Sequence, residues 1–164
     1  MNLVWSKSTS CVRHRPLIDG AQFQKRYASA YQKWADAERL LWGADSTNHI
    51  SKIGLGCREA MQEFASTLVE IHKPAQVEQN PALTKNRLRS VVAAKATSFG
   101  ETEQALLISM IEYWGAVDGS MNRLVHANAK QGRPVTVEDA RRVVFQALCV
   151  MYEIDRALDQ APAA

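Results

Sequence analysis

From Phe23 onward, apolar residues recur in steps of four and three: Phe23, Tyr27, Ala30, Trp34, Ala37 and Leu41. At 3.6 residues per turn, such steps place all six on one side of a helix and leave the other side to water. This is also the spacing by which helices interlock at a shallow angle in antiparallel bundles. The pattern returns three times. Ile50, Ile53, Cys57, Met61, Phe64, Leu68 and Ile71 form a second stripe, between Ser46 or Thr47 and His72. Leu107, Met110, Trp114, Val117, Met121 and Leu124 form a third within residues 101–129. Ala140, Val144, Ala147, Met151, Ile154 and Leu158 form the last, broadened by Val143, Leu148 and Val150, so the final helix is expected to be central.

Start and stop signals frame these stripes. Asp19 can cap the first helix, which ends near Gly43. Pro74 ends the second, because proline lacks the N–H that the next turn needs. Asn80-Pro81 reads as an N-cap followed by proline at the first helical position of a short helix, carried by Leu83, Leu88, Val91 and Val92 and closed by Gly100. Gly132 and Pro134 mark a turn, and Thr136-Val137-Glu138-Asp139 resembles a capping box with Asp in place of Glu. Gly54 and Gly56 cost about 1 kcal/mol each relative to alanine inside a helix. They imply either a close backbone approach or a helix that starts later, near Gly56. Sustained apolar–polar alternation is lacking. The expected fold is therefore all-α, an antiparallel helical bundle of four longer helices plus one short helix. Residues 1–20 are expected to form an irregular N-terminal arm and residues 21–160 a single domain.

With 164 residues, 46% of them hydrophobic, the chain can bury a core without disulfides or metal. Cys11, Cys57 and Cys149 fit neither a disulfide framework nor a zinc spacing, and the four histidines have no helical metal-ligand partner. No metal and no cofactor are expected. The start MNLVWSKSTSCVRHRP lacks a signal-peptide core, and no apolar run is long enough to span a membrane. The expected location is the cytoplasm. A glycine loop for phosphates and a nucleotide fingerprint are both missing. A net charge of +3 does not by itself imply nucleic acid. The basic residues do cluster: Lys7, Arg13 and Arg15; then Lys85, Arg87, Arg89 and Lys95; then Arg123, Lys130, Arg133, Arg141 and Arg142. Such groups are usually solvated helix faces, but a bundle can bring them together on a phosphate-bearing ligand.

The 101–129 helix has a second face. Ile108, Gly115, Gly119, Asn122 and His126 fall opposite its apolar seam. Gly115 and Gly119, four apart, allow a close helix approach. This face suits a homodimer contact through Ile108, Gly115 and Gly119 somewhat better than internal packing. At its end Asn122, Arg123 and His126 lie within one turn. An imidazole can move protons at neutral pH, and an adjacent guanidinium can hold a phosphate, a pair suited to RNA cleavage. The plainer reading is a solvated helix end whose Arg and His complement the helix dipole.

NRLVH at 122–126, followed by a polar turn and a long terminal helix, resembles HEPN domains, small helical bundles of bacterial toxins, phage-defence proteins and RNA-processing enzymes. The resemblance covers roughly residues 101–160. It implies a metal-independent ribonuclease of the toxin–antitoxin or defence type, paired as a homodimer. His126 would assist attack by a ribose 2′-hydroxyl, Arg123 steady the phosphate and Asn122 orient one of them, with Arg141, Arg142, Arg133 and Lys130 contacting nucleic acid. In the family motif arginine precedes asparagine; here Met121 holds that place. The alternative is an inactive binding or dimerisation module that recognises a nucleotide, nucleic acid or partner protein.

Overall fold

A computed structural model describes residues 20–126 and 134–160 of the chain. Among these residues all regular structure is helical: α1 (Gly20–Arg26), α2 (Ala28–Trp42), α3 (Ile50–His72), α4 (Thr84–Ala94), α5 (Glu101–Val125) and α6 (Val137–Gln160). Short 3-10 turns at Ser46–His49 and Ala96–Ser98 precede α3 and follow α4. No described helix is long and apolar enough to cross a membrane.

Register shows how the helices run. Gly56 and Glu59 of α3 meet Ala37 and Lys33 of α2, so these two are antiparallel. Gly54 and Arg58 of α3 meet Leu124 and Asp118 of α5, and Lys85 and Arg89 of α4 meet Gly115 and Glu112, which gives the same sense. The helix at the centre is α3, which packs against α2, α4, α5 and α6. The expectation that the last helix is central is thus corrected. The reason lies in the two glycines of α3. A Cβ at Gly54 would stand 2.7 Å from Leu124 Cβ, and one at Gly56 would stand 3.0 Å from Ala37 Cβ. Each glycine lets a different neighbour approach the α3 backbone, and α3 starts before both.

The stripes read from sequence are largely the core, with four corrections. The first helix is broken at Tyr27, whose backbone leaves the helical region (φ −121°, ψ 50°). Its ring packs between Phe23 and Phe64, with centroids 4.9 and 4.7 Å away, and its hydroxyl donates to Asp155 Oδ1 at 2.6 Å. Tertiary contacts therefore outweigh helix continuity here. On α5, Ile111 rather than Met110 is fully buried. Ile71 is half exposed at the end of α3, where Lys73 adopts a left-handed conformation and donates its N–H to Val69 O ahead of Pro74. Asn80-Pro81 forms a turn, with Asn80 Oδ1 accepting from the Ala82 N–H at 3.0 Å, and α4 begins only at Thr84.

Trp34 and Trp114 are buried, and Trp34 Nε1 donates to Val144 O at 2.8 Å, tying α2 to α6. Trp42 is exposed and lies under the guanidinium of Arg141, 5.0 Å from the ring centroid. The capping box forms as read: Thr136 N and Oγ1 donate to Asp139 Oδ2, and Asp139 N donates back to Thr136 Oγ1. Cys57 is buried, and burial pushes its thiol up to about 12.

Candidate functional site

The contact between Gly54 and α5 fixes the geometry around Asn122 and Arg123. With no side chain at Gly54, α3 comes against Met121, Leu124 and Val125. One turn later on α3, Arg58 reaches across α5: its Nη2 donates to Asn122 Oδ1, and its Nε stands 3.5 Å from Asp118 Oδ1. Asn122 thus faces a groove between α3, α4 and α5 of about 540 Å³, which Lys85 and Arg89 also line.

Arg123 turns the other way, as a 100° step along a helix requires. It lines a smaller cleft of about 110 Å³ between α5 and α6, together with Ser120, Asp139, Arg142 and Gln146. Asp139, on the wall of this cleft, is also the acceptor of the capping box. His126 closes α5 by donating its backbone N–H to Asn122 O at 3.1 Å, and its side chain is exposed and lines neither space. Within one chain, then, Asn122, Arg123 and His126 share a turn of helix but open onto different surfaces.

The remaining candidates divide similarly. Arg142 faces α5 in the cleft with Arg123, whereas Arg141 lies over Trp42 and pairs with Glu138 at 3.1 Å. Lys130 and Arg133 fall outside the described residues. Ile108 is exposed and Gly119 has open space above it. Gly115 is covered from within the chain, because a Cβ there would lie 2.9 Å from Lys85 Cδ.

Two charged residues beside Asn122, Arg58 and Asp118, were not readable as site residues, nor was Glu112, further back on α5, which holds Lys85 and Arg89. Lys85 and Arg89 were visible as a basic group, without a place in the fold. Glu112 Oε2 accepts from Lys85 Nζ at 2.7 Å and Oε1 from Arg89 Nη2, and these hydrogen bonds, Lys85 first, hold its carboxyl below the usual range. The one available signal was Gly54, since a glycine that admits another helix also brings the residue one turn on, Arg58, to that helix. Comparison with protein-family models, with curated proteins and with solved structures finds no match to this chain.

Proposed function

We propose that this chain is a HEPN-like helical module that binds RNA by its phosphates at the carboxyl-terminal end of α5. The observation that carries the reading is that Arg123 and Arg142, from two helices, line one cleft. Guanidiniums suit phosphate because their planar fork presents several N–H donors to its oxygens. The resemblance of NRLVH at 122–126 to HEPN domains supports RNA as the polymer. A labelled single-stranded RNA titrated into the protein tests this. Arg123→Gln with Arg142→Gln weakens binding by roughly tenfold or more, the scale of losing one or two charge-assisted hydrogen bonds. Affinity unchanged in that double variant would remove the basis of the proposal.

A second reading, metal-independent RNA cleavage, is favoured by the exposure of both Arg123 and His126 on the last turn of α5. In that reaction His126 takes the proton of a ribose 2′-hydroxyl as the oxygen attacks the adjacent phosphorus. The bond to the 5′-oxygen of the next nucleotide breaks to leave a 2′,3′-cyclic phosphate, that 5′-oxygen takes a proton from water, and Arg123 offsets charge on the phosphate. Asn122 is held by Arg58 and plays a supporting part. Because one chain does not gather these groups in a single space, a second copy would complete the cleft, with Ile108 and Gly119 as its open contact face. Cleavage in the presence of a chelator, abolished by His126→Ala, is the expected result; cleavage that persists in the variant refutes this reading.

A further inference from the structure

The groove between α3, α4 and α5 has its own chemistry, apart from Arg123, Arg142 and His126. Its volume of about 540 Å³ is that of a small-molecule site, typically about 300–1,000 Å³. Three cations from two helices line it: Arg58 of α3, and Lys85 and Arg89 of α4. Lys85 is seated by Gly115, where a Cβ would lie 2.9 Å from Cδ and 3.0 Å from Nζ, so any larger residue would displace its stem. The opposing charges are Asp118, beside Arg58, and Glu112, whose one carboxylate serves both Lys85 and Arg89. Three positive charges thus meet two negative ones. Exposed ion pairs of this kind contribute little to stability, so an incoming anion can take the place of a carboxylate at low cost. Between the charges, Gln62, Asn86 and Asn122 provide neutral donors and acceptors. The first turn of α4, which forms one wall, carries no acidic residue.

We propose that this groove binds a small organic phosphate, of nucleotide size or smaller. Its phosphate replaces the Glu112 carboxylate between Lys85 and Arg89, Arg58 adds positive charge elsewhere on the groove wall, and Asn86 and Asn122 hydrogen-bond the organic part. The competing view is that the ion pairs only fasten α4 to α5. That view predicts no ligand, whereas displacement of Glu112 predicts a ligand whose affinity depends on each charge in a set direction.

Isothermal titration of the full chain with ADP, with inorganic pyrophosphate and with adenosine separates the two. ADP and pyrophosphate are expected to bind and adenosine is not. Lys85→Gln with Arg89→Gln weakens ADP by roughly tenfold or more. Glu112→Gln, which removes the competing carboxylate, tightens it. Should the double variant fail to fold, Asn86→Asp adds a negative charge at an exposed position without deleting an ion pair, and also weakens ADP by roughly tenfold. The absence of heat from ADP and pyrophosphate at millimolar concentration overturns the proposal. So does equal affinity for adenosine and ADP, or an affinity indifferent to Asn86→Asp. Loss of RNA binding in Lys85→Gln/Arg89→Gln, with no small phosphate bound by the wild type, assigns the groove to the RNA surface and likewise overturns it.

Discussion

Arg58 of α3 donates from Nη2 to the side-chain oxygen of Asn122 on α5, and the same guanidinium stands 3.5 Å from Asp118 one turn away. A residue singled out on α5 is therefore also a tie between two helices. Arg58→Ala and Asn122→Ala should each destabilise the fold by about 1 kcal/mol, discounted for the partial exposure of Arg58. In urea denaturation the double variant should lose less than the sum of the two, because the second change removes an interaction already gone. Strict additivity would mean that the two side chains do not interact in solution.

The glycines of α3 and α5 give opposite expectations. Gly54→Ala places a methyl group 2.7 Å from Leu124 Cβ and 3.2 Å from Met121 O, both on a packed helix. Such overpacking costs about 1–3 kcal/mol. Gly119→Ala meets no atom of the described residues within 4 Å and should stabilise α5, by up to about 1 kcal/mol through helix propensity. Melting temperatures of the two variants check this directly. A Gly119→Ala protein that melts lower than wild type would show that the face is covered by another copy.

At the other end of the bundle, Asp155 accepts from the Tyr27 hydroxyl at 2.6 Å and from Arg26 Nη1 at 2.7 Å, while Arg26 Nη2 reaches Asp159 at 2.8 Å. Burial, then Asp155, drives the Tyr27 hydroxyl well above the usual tyrosine range, so it stays protonated as a donor. Tyr27→Phe should cost about 1 kcal/mol. His72, beside this cluster, is pushed below its ordinary 6.5 by burial, then by Lys95 and Arg26, against a smaller opposing pull from Asp155. The unfolded chain then binds more protons than the folded one as pH falls below 6.5, so stability present above that value is lost on acidification. Denaturation midpoints between about pH 7.5 and 5.5 lie above most carboxylate titration and isolate this effect. His72→Gln should flatten the dependence; an unchanged slope would assign it elsewhere.

What sequence made legible follows from which forces are local. The period of Phe23, Tyr27, Ala30, Trp34, Ala37 and Leu41 is written in the chain, and all six side chains are buried. The Thr136–Asp139 box is equally local and forms as read. Interruptions were harder. The break falls at Tyr27, whose hydroxyl partner Asp155 lies 128 residues away, and the centrality of α3 rests on two glycines whose partners lie on different helices. Sequence alone also grouped Asn122, Arg123 and His126 by proximity along the helix. The helix step turns Arg123 away from Asn122, but which space each enters depends on where α3 and α6 pack against α5, which a helical wheel does not contain. Arg58 became a neighbour of Asn122 for the same reason, whereas Asp118 is simply one turn back on α5. Trp42, one residue past Leu41 at the end of the first stripe, lies beyond the core and packs on Arg141 instead.

The most direct test of the central claim is the salt dependence of single-stranded RNA binding, measured by anisotropy for the wild type and for Arg123→Gln/Arg142→Gln. Each phosphate neutralised on a single strand contributes about 0.7 to the slope of log affinity against log salt. If the two arginines each hold one phosphate, the variant should bind more weakly and its slope should be shallower by about 1.4. Wild-type binding with a slope that the double variant leaves unchanged would contradict the placement of RNA at the α5–α6 cleft.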